Sequence, residues 1–157
     1  MKIFAKKSLG QNFLIDDKVL DLIVNLGKIS SNDTVLEVGP GTGNLTEKIL
    51  KKVPKKLIVV EKDQNLSQIL KKKFNNNIEI INDDILNYNQ QLLYKKKIII
   101  FGNLPYNVST QILTSWIKIS NLNKFCKKFI LMFQKEVADR ILADFNSKDY
   151  GRISIIS

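Results

Sequence analysis

Residues 34–50 read TVLEVGPGTGNLTEKIL, and this stretch decides the fold. A short apolar run, Thr34–Val38, leads into Gly39, Gly41 and Gly43, and an amphipathic segment follows. Strand, glycine turn and helix in that order open a parallel α/β unit, where glycines turn the chain sharply and let a ligand approach the backbone. Dinucleotide folds carry a similar loop, but the G-x-G-x-x-G fingerprint wants glycine or alanine at position 44, which here is Asn44. Pro40 also lacks the N–H that a phosphate cradle would use. The loop suits a cofactor without a pyrophosphate better than NAD.

Outward from this loop, short apolar runs alternate with amphipathic stretches, the pattern of an α/β domain with a mostly parallel sheet flanked by helices. Strands are predicted at Thr34–Val38, Leu57–Glu61, Ile78–Ile81, Ile98–Phe101 and Phe129–Phe133. Helices are predicted at Asp17–Leu26, Asn44–Lys52, Gln64–Phe74, Val108–Ile119 and Lys135–Ala143, the first with acids at its start and Gly27 after its last apolar residue. Most of the strands are nearly continuous apolar runs, as expected when both faces of a sheet are covered. Ile153-Ser154-Ile155-Ile156-Ser157 alternates like a sixth strand. Ending there, it would be an unprotected edge, so the sequence is expected to be cut short.

A chain of 157 residues, 44% hydrophobic, supports one packed domain. No apolar run approaches the ~18 residues of a membrane span, and the N-terminus lacks the apolar stretch of a secretory signal. Cys126 is the single cysteine, so no internal disulfide or multi-cysteine zinc pattern forms. With no histidine, the commonest metal ligand and general base is missing. These features lead to an expectation of a reduced, cytoplasmic, metal-free protein without a membrane. The net charge of +10 points to a polyanionic partner. It also has a compositional explanation, since lysine, asparagine and isoleucine share adenine- and thymine-rich codons.

Two acids join the loop. Glu61 ends the second strand, where a carboxylate accepts from both hydroxyls of a ribose; Asp84 follows the third, where one accepts from an adenine amine. Acids at the carboxyl ends of neighbouring parallel strands share a crevice. Together they describe a pocket for a nucleoside with a non-phosphate tail, such as S-adenosylmethionine. Pairing of Glu61 with Lys62 or Lys56, and a turn cap at Asp84, are the structural alternatives. At the end of the fourth strand, Asn103-Leu104-Pro105-Tyr106 faces the same crevice. The Asn103 side-chain carbonyl and the Leu104 backbone carbonyl would grip the two N–H groups of an exocyclic amine. That aims the nitrogen lone pair at a methyl donor. Tyr106 would stack on an extruded base, with Pro105 keeping the turn rigid. A turn at Pro105 and a helix cap from Asn107 or Ser109 are compatible with these roles.

The motifs KSLGQNFLID (7–16), VLEVGPGTGNLT (35–46), VVEKD (59–63), NLPYNVST (103–110), MFQKEVADR (132–140) and YGRIS (150–154) together resemble the ribosomal RNA adenine dimethyltransferases. These are the small-subunit methylases of the KsgA/Dim type. The resemblance implies a Rossmann-like class I S-adenosylmethionine-dependent methyltransferase fold. Residues 1–157 would be the cofactor-binding, catalytic domain, truncated before the last strand and a C-terminal helical domain. It implies that Asn12, Leu14 and Gly39 meet the cofactor's methionine end and its backbone surroundings, with Gly41 also binding the cofactor. Glu61 would take its ribose, Asp84 its adenine, and Asn103 would lie between cofactor and target. The implied reaction dimethylates the exocyclic amines of two adjacent adenosines near the 3′ end of small-subunit rRNA, linked to ribosome maturation. The substrate would be that RNA or a pre-assembled small subunit, and the protein a monomer.

A related family methylates large-subunit rRNA and confers macrolide resistance; Pro40 and Leu104 match the small-subunit enzymes better. A non-catalytic RNA-binding assembly factor is a reading from another class. Lys6 and Lys7 are the basic residues assigned to RNA contact, while Lys71–Lys73 and Lys95–Lys97 read as solvated ends. Trp116, Ile112, Leu113 and Ile117 make an apolar helix face, and Cys126 is expected to be structural or incidental. Phe133 and Gln134 are candidates for shaping the target-base pocket.

Overall fold

The structure is a computed structural model that describes residues 10–88 and 97–156. In chain order the elements are α1 (Asp17–Gly27), β1 (Thr34–Val38), α2 (Asn44–Leu50), β2 (Lys56–Val60) and α3 (Gln64–Phe74). A 3₁₀ turn (Asn75–Asn77) follows, then β3 (Glu79–Ile81), β4 (Ile98–Asn103), α4 (Ser109–Ile117) and α5 (Leu122–Phe125). The last are β5 (Cys126–Met132), α6 (Lys135–Ile141) and α7 (Arg152–Ile156). The strands form one sheet in the order β3-β2-β1-β4-β5, and every pairing is parallel. β1 lies between β2 and β4, so successive connections leave its two sides in opposite directions. Such a switch opens a crevice beyond the carboxyl ends of the strands.

Strand alternation builds two apolar layers. Val35, Val59, Ile99 and Phe101 face Leu20, Val24, Leu45, Ile49 and Leu70 of α1, α2 and α3. Leu36, Val38, Ile58 and Ile100 face Ile112 and Trp116 of α4 together with Phe125. The Trp116 ring stacks on Phe129, with centroids 5.3 Å apart and planes 8° from parallel. β1, β2 and β4 are buried almost throughout, which is why they read as unbroken apolar runs.

Several predicted details change. Gly27 is not a cap. It remains helical, and a Cβ there would collide with Phe101 Cζ, so its smallness is a packing requirement. Lys28 takes the left-handed turn instead, at φ 47°. β5 starts at Cys126, three residues before the predicted Phe129, after the short helix α5 that the sequence pattern concealed. The expected sixth strand is a correction: residues 152–156 form helix α7. Gly151 N–H donates to Ser154 Oγ (3.1 Å), and Ser154 Oγ–H donates to the Arg140 carbonyl (2.6 Å). The bond from Gly151 is local, the one to Arg140 comes from a distant turn, and together they favour a helical turn, since so short an apolar pattern fits either period.

Phe101 is wholly buried where β4 meets α1. Phe101→Ala is expected to lower unfolding free energy by ~3–5 kcal/mol in urea titration, with an unchanged slope. A loss below ~1 kcal/mol would contradict this packing.

Candidate functional site at the carboxyl end of the sheet

One pocket occupies the crevice. Asn12, Leu14, Gly39, Gly41, Glu61, Asp84, Asn103 and Pro105 all line it, brought there from five separate stretches of chain. Gly39 and Gly41 have φ of 67° and 59°, a region that side chains disfavour. A Cβ on Gly39 would meet the Asn103 carbonyl at 3.3 Å, and one on Gly41 the Phe13 ring at 3.0 Å. The loop is thus tight against both neighbours.

Glu61 is buried just beyond β2. Its carboxylate accepts from Gly41 N–H (3.1 Å) and Asp63 N–H (2.9 Å), so it pairs with neither lysine considered from the sequence. Burial raises its pKa, the two N–H groups oppose that, and the nearby Asp63 charge adds to it. Asp63 in turn caps α3, accepting from Asn65 N–H (2.8 Å) and Leu66 N–H (3.3 Å).

Asp84 accepts from Leu86 N–H (3.0 Å) and pairs with Lys62 Nζ (2.8 Å). Burial pushes its carboxyl up, but Lys62 and the Leu86 N–H outweigh it and hold the pKa below the ordinary carboxylate value. Turn capping and pocket lining therefore coexist at one residue.

Residues 10–14 cross the pocket as a strap. Asn103 Nδ2 donates to the Asn12 carbonyl (2.7 Å), Asn44 Nδ2 donates to the Leu14 carbonyl (2.9 Å), and Asn12 Nδ2 donates to the Tyr106 hydroxyl. Because a carbonyl takes the Asn103 amide N–H, the Asn103 Oδ1 is left as the acceptor. Leu104 is packed in the core beneath the loop, 1% exposed, and contributes no side chain to the pocket. Tyr106 is exposed, bonded to the strap and not part of the lining. Lys6 and Lys7 lie outside the described residues. Cys126 is half-buried, and burial pushes its thiol up to about 11, leaving it unreactive at neutral pH.

Sequence reasoning missed Glu37. It lines the pocket from β1, is 1% exposed, and its Oε2 has no hydrogen-bond partner among the described residues. Burial lifts its pKa to about 8; the Thr46 hydroxyl and Lys73 oppose this and Glu61 adds to it. The sequence signal was a lone acid inside the apolar run VLEV. Among the described residues no cluster of His, Cys, Asp or Glu could hold a metal, and no helix is long and apolar enough to cross a membrane.

The profile of a family described as "Ribosomal RNA adenine dimethylase" matches residues 4–157. A "Ribosomal RNA small subunit methyltransferase A" of Pelagibacter ubique is 57% identical over 157 residues, covering all of this chain and 60% of that protein. The chain thus spans about 60% of the length of this curated relative. Among solved structures, a dimethyladenosine transferase from Plasmodium falciparum superposes with a TM-score of 0.80 at 34% identity, over 92% of this chain and 51% of that one. The 23S rRNA methyltransferase ErmE superposes with a TM-score of 0.70 at 26% identity, over 90% and 53%. The fold is that of the class I methyltransferases.

Glu37 titrates from 4.5 when unfolded to about 8 when folded. Its neutral form therefore contributes stability that is complete below 4.5 and lost as pH rises through 8. Glu37→Gln should gain stability relative to the parent progressively across that window, read by denaturant unfolding at each pH. A pH-independent difference would contradict the buried neutral carboxyl.

Proposed function

This chain belongs to the ribosomal RNA adenine dimethylase family, and we propose that it binds S-adenosylmethionine and dimethylates the exocyclic amine of adenosine in small-subunit rRNA. The observation that carries this reading is the convergence of Gly39, Gly41, Glu61, Asp84 and Asn103 on one crevice. The residues fit this cofactor. Asp63, Asp83 and Glu61 gather at or beside the pocket, with Asp84 offset by Lys62, a field that suits a sulfonium and repels a pyrophosphate. Glu37 Oε2 is a polar atom at the pocket wall without a partner among the described residues, open to a ligand's hydrogen bond.

In this reading Asn12, Leu14, Gly39 and Gly41 hold the methionine end, Glu61 accepts from the ribose hydroxyls, and Asp84 accepts from the adenine amine. When bound, S-adenosylmethionine would supply an electrophilic methyl group for the target nitrogen, with a neutral thioether as the leaving group. Asn103 Oδ1 and the Leu104 carbonyl accept the two N–H groups of the target amine. They localise its lone pair and stabilise the charge that develops on nitrogen. The alkylated amine is acidic and loses its proton to water, so no histidine is needed. Pro105 stiffens the loop, and the Tyr106 ring stacks on the extruded base once its hydroxyl leaves Asn12.

Two adjacent adenosines near the 3′ end are the proposed targets, in free rRNA or a pre-assembled subunit, as a step of ribosome maturation in the cytoplasm. The protein acts as a monomer. Residues 1–157 serve as the cofactor-binding, catalytic domain, and Lys6 and Lys7 contribute to RNA contact. Small-subunit RNA is favoured over large-subunit RNA because the relative named for the former is 57% identical, whereas ErmE is 26% identical.

Calorimetric titration with S-adenosylmethionine should show saturable binding that Asp84→Ala weakens by at least tenfold, ~1.4 kcal/mol. No binding by the folded parent would sink the enzymatic reading for this chain.

A further inference from the structure

The net charge of +10 is unevenly placed. Beside the pocket, Lys62 is neutralised by Asp84, and the remaining acids lining it are Glu61, Asp83 and the neutral Glu37. The opposite end of the sheet is different. Lys28 follows α1, Lys52 follows α2, Lys55 precedes β2, Lys97 precedes β4, and Lys127 and Lys128 start β5. In a parallel sheet these positions share the amino end.

Hydrogen bonds draw four of them onto the last turn of α1 and the loop that follows it. Lys52 Nζ donates to Asn25 Oδ1 (2.9 Å), Lys128 Nζ to the Leu26 carbonyl (3.0 Å), Lys127 Nζ to Asp33 Oδ1 (2.7 Å), and Lys55 N–H to the Asp33 carbonyl (2.9 Å). Asp33 is buried and forms an ion pair with Lys127 (2.7 Å), so it offsets that one lysine. The C-termini of α1 and α2 also point here, but each contributes only about half a negative charge. Six lysines exceed what Asp33 and two helix ends neutralise.

We propose that this amino-end lysine face grips the phosphate backbone of double-helical RNA, while the opposite end of the sheet holds the target nucleotide. The proposal rests on the RNA-modifying reading. Lysines act as point charges on phosphates and carry no sequence information. Single-strand binding would add aromatic platforms, but the exposed aromatics among the described residues, Tyr106 and Phe145, lie on other segments. A five-residue strand is roughly 17 Å long. An RNA held at both ends presents separate segments to opposite ends of the protein.

The test is binding of a fluorescent RNA duplex of about 20 base pairs, across about 50–200 mM salt. The proteins are this chain and its Lys28→Gln, Lys55→Gln, Lys97→Gln triple variant. The variant should lose about tenfold in affinity at low salt, and its log–log salt slope should fall in magnitude by about two to three. The corresponding triple Lys→Arg variant should keep the parent slope, which separates charge from folding. Equal slopes for parent and Gln variant overturn the proposal, as does binding to phosphatidylglycerol vesicles with none to the duplex. Calorimetry with S-adenosylmethionine runs alongside. Its failure with an intact loss of slope would sink the cofactor reading alone, and unchanged cofactor binding with unchanged slope would sink the lysine face alone.

Discussion

The carboxylate of Glu61 is the constraint on which the rest of the site depends. From the end of β2 it accepts one N–H from the glycine loop and one from Asp63. Asp63 then caps α3, and Gln11 of the strap lies 3.5 Å from its carboxylate. One buried group thus fixes the loop after β1 and the start of the helix after β2. A hydrogen bond to a charged group is worth ~1.5–3 kcal/mol, enough to offset part of the cost of burying the acid. Glu37 lies nearby and is held neutral at pH 7 by burial, which spares Glu61 a second negative charge.

The strap joins the cofactor half of the pocket to the target half. Asn12 offers its carbonyl to Asn103 and its amide to Tyr106, so one residue orients both members of the loop after β4. That loop can be precise because Leu104 anchors it in the apolar layer under β4, where it packs with Ile100 and Ile112. A side chain buried for packing thereby sets the position of a backbone carbonyl proposed to act in chemistry. Lys62 and Asp84 show a similar economy: an ion pair at the rim keeps an acid oriented toward the crevice.

Charge follows the same logic of placement. A sheet of parallel strands has two unlike ends, and this chain puts acids around one and lysines around the other. The acidic end suits a small cation, while the lysine end suits a polyanion. Composition averages the two into a single basic number.

The sequence by itself determined the architecture and the meeting of five residues in the crevice. Unbroken apolar runs such as Ile98–Phe101 make buried parallel strands, and parallel strands deliver whatever follows them to one edge. Gly39, Gly41, Glu61, Asp84 and Asn103 therefore had to meet, although their chemical roles stand as proposed. The tertiary structure alone decided the finer matters, because each depends on neighbours distant in the chain. Gly27 is small for Phe101 rather than for a turn, and the 153–156 run is helical because Arg140 and Gly151 bond Ser154. Glu37 becomes neutral through burial that no local pattern encodes. The lysines become a face only when α1, α2, β2, β4 and β5 bring their ends together.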